Sequence, residues 1–261
     1  MHPHELPGLH RRGRELTQPD PEAVTVLNEG GSSPIVLICE HASNHIPARY
    51  NGLGLPPAEL QRHIAWDIGA ADLARRLSAR LDAPLFLAGY SRLLIDCNRP
   101  PGAPSSIPPV SEATLIPGNQ DLTPQEVAER QAAYFTPFAA RIARFLDRRD
   151  AAGRASTVLG IHSFTPVFLG ARRIWQAGVL YREATTLGAG LLAGLRADAA
   201  LTVGDNEPYR IDLNEDYTVP VHGDARGLPA ALIEIRQDLL GTAPDIEEWA
   251  RRLAAILSRL P

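Results

Sequence analysis

A chain of 261 residues, 44% of them hydrophobic, has enough apolar content to bury a substantial core, and this length suits one α/β domain. Its formal charge of −4 gives no long-range pull toward nucleic acid or an anionic membrane surface, which excludes polyanion binding as a bulk property. No stretch of about 18 apolar residues is present to cross a bilayer.

The first twenty residues carry charges and His2, His4 and His10, but not the apolar core of a signal peptide. Residues 1–22 are expected to form a flexible tail on a cytoplasmic protein, and residues 23–261 a single α/β domain. Residues 23–27 read as an edge strand. Residues 34–40 read as a buried strand, a Val/Ile/Leu run leading into Cys39, Glu40 and His41. A helix is predicted over 67–81, then strands over 84–88 and 93–96. The segment 100–122 is dense in Pro, Ser and Gly and reads as a long loop of the kind that carries function.

At Thr123 the order Thr-Pro-Gln-Glu supplies an N-cap, a proline in the first turn and a capping-box glutamate. The helix that it opens carries Val127, Tyr134, Phe138, Ile142 and Phe145 at the spacing of one buried face. Strands over 156–162, 178–181, 200–203 and 230–235 alternate with helices over 184–197 and 244–260. A second long loop, polar and aromatic, occupies 205–229. This alternation specifies a mixed, mostly parallel sheet with helices on both faces. Cys39 and Cys97 each sit in an apolar run and read as small buried hydrophobes, not as a disulfide.

Predicted strands end in residues able to do chemistry: His41, His162 and, on the last strand, Glu234 and Arg236. In open α/β sheets the ligand crevice lies beyond the carboxyl ends of the strands, which brings such residues toward one point. Two histidines with a carboxylate make a catalytic zinc set that leaves a coordination position open. His45, His63 and His222 are further candidates, the last inside the second long loop. No glycine-rich phosphate loop follows the first strands. Ser163 lacks the strand-turn-helix elbow of a serine hydrolase.

Five ordered motifs carry a resemblance: Cys39-Glu-His-Ala-Ser-Asn-His45, His63-Ile-Ala-Trp-Asp-Ile-Gly69, Ser91-Arg-Leu-Leu-Ile-Asp-Cys-Asn-Arg99, Gly160-Ile-His-Ser-Phe-Thr165 and Glu234-Ile-Arg-Gln-Asp238. Together they resemble the N-formylglutamate amidohydrolase family, over about residues 34–258. That family is related in fold to zinc carboxypeptidases, so the resemblance implies their phosphorylase/hydrolase-like three-layer sandwich. It also implies one Zn2+ per chain held by His41 and His162, with Glu234 as the general base that takes a proton from zinc-activated water.

Carboxypeptidases place a glutamate three residues after the first ligand histidine, where this chain has Asn44. Asp67 is taken as the third ligand, with Glu40 and Asn44 as alternatives. Asn98 and Arg99 are implied as the clamp for a substrate carboxylate. Arg92 and Arg236 are candidates to steady the oxyanion. The chain contains no lysine, and arginine forks suit carboxylates. Arg172, Arg173 and Arg226 are further candidate anchors, and Tyr209 a residue that closes over the substrate. The expected substrate is a small N-acylated acidic amino acid, N-formylglutamate first. The alternatives are an N-acetyl or N-succinyl amino-acid deacylase, a carboxypeptidase and a non-catalytic metal-binding module. Glu234 favours an enzyme over the last.

Overall fold

The computed structural model describes residues 20–260. The expected N-terminal tail, with His2, His4 and His10, therefore lies outside the described residues except for 20–22. In chain order the elements are β1 (Val24–Leu27), β2 (Ile35–Cys39), α1 (Ala70–Leu81), β3 (Leu85–Ala88), β4 (Val110–Ser111), β5 (Thr114–Leu115), α2 (Pro124–Arg130) and α3 (Thr136–Ala151). There follow β6 (Thr157–Phe164), β7 (Val167–Phe168), β8 (Ala171–Arg172), β9 (Ala177–Leu180), α4 (Thr185–Arg196), β10 (Val203–Asp205), β11 (Ala230–Arg236) and α5 (Ala243–Leu257). No helix among the described residues is long and apolar enough to cross a membrane.

Seven strands form one sheet in the order β1-β3-β2-β6-β11-β9-β10. The central four, β3, β2, β6 and β11, run parallel. β1 and β9 pair antiparallel at either side, and β10 runs parallel to β9. Side chains of a strand alternate between faces, and both faces here are apolar. Ile35, Leu37 and Cys39 of β2 pack with α1, α4 and α5 in one cluster. Val36 and Ile38 pack with Phe138, Ile142 and Phe145 of α3 in another. The result is a mixed, mostly parallel sheet between two helical layers. Both cysteines are free and buried.

Local chemistry explains where the structure departs from the sequence-based expectations. Residues 93–96 form a turn followed by irregular backbone instead of a strand: Ser91 Oγ accepts from Leu93 N at 3.2 Å, and Asn119 Nδ2 donates to the Leu93 carbonyl at 2.8 Å. These side chains supply bonds that a sheet ladder would have made, while Leu93, Leu94 and Ile95 stay buried in a third cluster with Leu53 and Ile116. The helix predicted from Thr123 keeps its capping box but is interrupted by a π-turn at Gln131–Phe135. Pro137 has no N–H and its ring collides with the carbonyl four residues back, which widens the preceding turn. The strand expected at 200–203 begins only at Val203. Helix α1 starts at Ala70, three residues later than read, because Gly69 takes φ +81° in front of it.

Candidate active site

The carboxyl ends of the central strands open into a pocket of about 490 Å³. Strand β2 ends at Cys39, so Glu40 and His41 lie on a turn, where consecutive residues need not point to opposite faces. On β6, His162 stands in parallel register with Glu234 of β11, which puts both side chains on one face, about 5 Å apart at the backbone. Gly160, two residues earlier on that face, leaves room for the imidazole. A Cβ there would meet Leu232 Cδ2 at 2.3 Å and His162 Nε2 at 3.3 Å.

Asp67 arrives on the loop before α1. Its N–H donates to the His41 carbonyl at 3.0 Å, and its Oδ2 accepts from Ser163 N at 3.1 Å. With Gly69 closing the turn, Asp67 is not the cap of α1. Its carboxylate is aimed into the site instead.

His41, Asp67 and His162 are all buried, and one ligand atom from each lies within 4.8 Å of the others. The two rings meet edge to face with centroids 4.9 Å apart. Asp67 Oδ2 lies 3.4 Å from His41 Nδ1 and 2.9 Å from His162 Nδ1. The other nitrogen of each ring has its own carboxylate: His41 Nε2 pairs with Asp96 Oδ1 at 2.7 Å, and His162 Nε2 with Glu40 Oε2 at 3.0 Å. Both histidines therefore present Nδ1 to a common point and are braced from behind, the usual arrangement around ligand histidines.

The electrostatics follow from this packing. Burial opposes charge on His41 and His162, yet neighbouring carboxylates outweigh it. Asp96 and Asp67 raise His41, and Glu40 and Asp67 raise His162 well above the ordinary range. The same partners hold Asp67, Asp96 and Glu40 below theirs against burial. Arg92 donates to Asp96 Oδ2 at 2.8 Å and lies 3.4 Å from Asp67 Oδ1, and these carboxylates push its pKa up despite burial. Glu234 differs from its neighbours: burial dominates and pushes it up to about 7, and its Oε2 has no hydrogen-bond partner.

A divalent cation fits this donor set. Nδ1 of His41 is buried without a hydrogen-bond partner, and Asp67 offers the third donor. Three carboxylates held below their ordinary range (Glu40, Asp67, Asp96) surround the two histidines and Arg92, an excess of negative charge near the rings that suits a cation. Glu40 braces His162 from the side away from Asp67, and Asn44 donates to the Leu60 carbonyl at 2.9 Å; neither stands with the common point.

The remaining sequence-predicted residues divide. Arg92, Asn98, Arg99, Tyr209 and Glu234 line the pocket. Asn98 and Arg99, however, hold the second long loop: Asn98 Oδ1 accepts from Thr218 N at 2.9 Å, and Arg99 pairs with Asp216 at 2.9 Å. Arg173 stacks over Tyr209 at 4.6 Å and donates to its hydroxyl at 2.7 Å. Arg172 is exposed on β8 outside the pocket lining. Arg226 pairs with Asp147 at 2.6 Å and Arg236 with Asp238 at 2.8 Å, and neither lines the pocket. His63 lines it opposite Glu112, whereas His45 pairs with Asp20. His222 is buried, and burial takes its pKa down to about 4. Sequence patterns do not single out two of the lining residues: Asp96, inside a motif that points to Asn98 and Arg99, and Arg210, the neighbour of Tyr209.

A family model for N-formylglutamate amidohydrolase matches residues 33–241. Among solved structures, gene product Atu2144 from Agrobacterium tumefaciens is 39% identical, covers 92% of this chain and 95% of its own, and superposes with a TM-score of 0.89. The N-formylglutamate amidohydrolase from Ralstonia eutropha JMP134 is 21% identical over 90% of this chain and 96% of its own, with a TM-score of 0.67, a likeness of fold. No curated protein matches the sequence.

Proposed function

The chain belongs to the N-formylglutamate amidohydrolase family, and we propose that it is a metal-dependent hydrolase that removes the formyl or another small acyl group from an N-acylated acidic amino acid, N-formylglutamate first. The observation that carries this reading is the meeting of His41, Asp67 and His162 within 4.8 Å, beside a partnerless Glu234 carboxylate.

His41, Asp67 and His162 hold one divalent ion, for which zinc is the natural identity given imidazole and carboxylate donors. That ion supplies a Lewis acid that polarises the acyl carbonyl and acidifies water. Glu234 Oε2 takes the proton of the attacking water and returns it to the departing nitrogen. The free Glu234 Oε2, buried beside the proposed ligands, is placed for both transfers. Arg92 is held by Asp67 and Asp96 with guanidinium donors to spare, and it faces the oxyanion that forms at the acyl carbon. Deacylation of an N-acetyl or N-succinyl amino acid uses the same groups and differs only in how the acyl chain is seated.

The test is a panel of N-formyl, N-acetyl and N-succinyl amino acids incubated with the zinc-loaded protein, with release of the free amine followed. Turnover of N-formylglutamate ahead of the others is expected. Preference for a longer acyl group moves the assignment to the second reading, and no cleavage of any member removes both.

A further inference from the structure

Three arginines line the pocket: Arg92, Arg99 and Arg210. Two are committed to protein carboxylates. Arg92 is paired with Asp96 and Asp67. Arg99 is paired with Asp216 and also donates to the Glu215 carbonyl at 2.6 Å. Arg210, by contrast, is exposed in the lining with no hydrogen bond or ion pair among the described residues. The acids at the mouth are themselves engaged, Glu112 by Arg62 at 2.6 Å and Asp212 by Asn214 N at 2.7 Å, so none of them answers Arg210.

We propose that Arg210 binds a carboxylate of the substrate, and that Asn98 and Arg99 serve the loop instead. The proposal rests on the N-acyl amino acid reading above. A carboxylate leaving water needs a fork whose donors are free. Binding it to Arg99 would break the Asp216 pair and leave that acid, itself largely buried, without its cation. Arg210 needs no such exchange. Its backbone is also fixed, because the preceding residue, Tyr209, is clamped by Arg173 through both ring face and hydroxyl. Arg173 thus positions the anchor, and Arg210 makes the contact.

The experiment measures KM and kcat of the zinc-loaded wild type, Arg210→Gln and Arg210→Lys on N-formyl-L-glutamate and on its two mono-amides, N-formylglutamine and N-formylisoglutamine. Arg210→Gln is expected to raise KM for N-formylglutamate about ten- to hundredfold, the loss of one charge-assisted pair, with kcat nearly unchanged. Arg210→Lys restores most of it. One amide, the one lacking the contacted carboxylate, shows the raised KM already in the wild type and is insensitive to Arg210→Gln. An unchanged KM in Arg210→Gln, or an equal loss on both amides, overturns the assignment while leaving the amidohydrolase reading in place. The wild-type comparison of acid and amides needs no variant, and equal KM for all three overturns the assignment by itself. A wild type that cleaves none of the N-acyl amino acids overturns the amidohydrolase reading, and the role of Arg210 with it.

Discussion

Glu40 Oε2 lies 3.0 Å from His162 Nε2, on the opposite edge of the ring from Asp67. A buried carboxylate at ion-pair distance there favours positive charge on the imidazole. Asp96 does the same for His41. The two rings are therefore flanked by acidic side chains that do not themselves reach the common point.

Glu40→Gln and Asp96→Asn keep the shape of these contacts and remove the charge. Each is expected to weaken metal binding by about ten- to hundredfold with the fold intact, as measured by competition against a chromogenic chelator. Wild-type affinity in both variants would show that the bracing carboxylates play no part in holding the ion.

Metal uptake should release protons. Neighbouring carboxylates raise the folded-state pKa of His41 and raise that of His162 well above the ordinary range, so the metal-free protein holds these protons more tightly than free imidazoles do, and ligation must displace them. Calorimetry in buffers of different ionisation enthalpy should report net proton release on metal binding near pH 7, and affinity should fall as pH is lowered. No release at pH 7 would mean that the rings are already neutral.

Glu234→Gln should retain the ion and lower kcat by about two to four orders of magnitude. It also has a thermodynamic signature in the metal-free protein. The folded pKa of about 7 lies above the ordinary 4.5, so the folded state holds this proton more tightly, and wild-type stability falls as pH rises through that window. The glutamine variant escapes that loss. Relative to wild type it should gain up to about 3 kcal/mol between pH 5 and pH 8, read from denaturant midpoints. A pH-independent difference would place the Glu234 carboxyl in water.

Gly69→Ala tests the turn that delivers Asp67. The residue sits at φ +81°, and a Cβ would stand 2.5 Å from Leu240 Cβ and 3.0 Å from the Leu240 carbonyl. The substitution should cost about 1–3 kcal/mol, seen as a lowered melting temperature, together with weakened metal retention. Wild-type values for both would mean that the loop and the 237–240 turn yield without strain.

Much of the sheet is legible in the sequence because β2, β6 and β11 are largely buried and so stand out as runs rich in Val, Ile, Leu and Ala. The same cue misleads at Leu93-Leu94-Ile95, which is equally apolar but takes its backbone bonds from Ser91 and Asn119, side chains distant or unremarkable in the sequence. At the site, residues on strand ends can be placed from the chain, since β-strand parity and the crevice beyond the carboxyl ends of the strands decide where they point. Arginines cannot be sorted that way. Arg226 and Arg236 look like anchors until Asp147 and Asp238 are seen beside them. Arg210 stands out only once the partners of Arg92 and Arg99 are known.

The most direct measurement is elemental analysis of zinc-loaded, dialysed wild type alongside His41→Ala and His162→Ala. Close to one equivalent of zinc per chain is expected in the wild type and little in either variant. Full zinc in both variants, with the fold retained, would contradict the assignment of these two imidazoles as ligands.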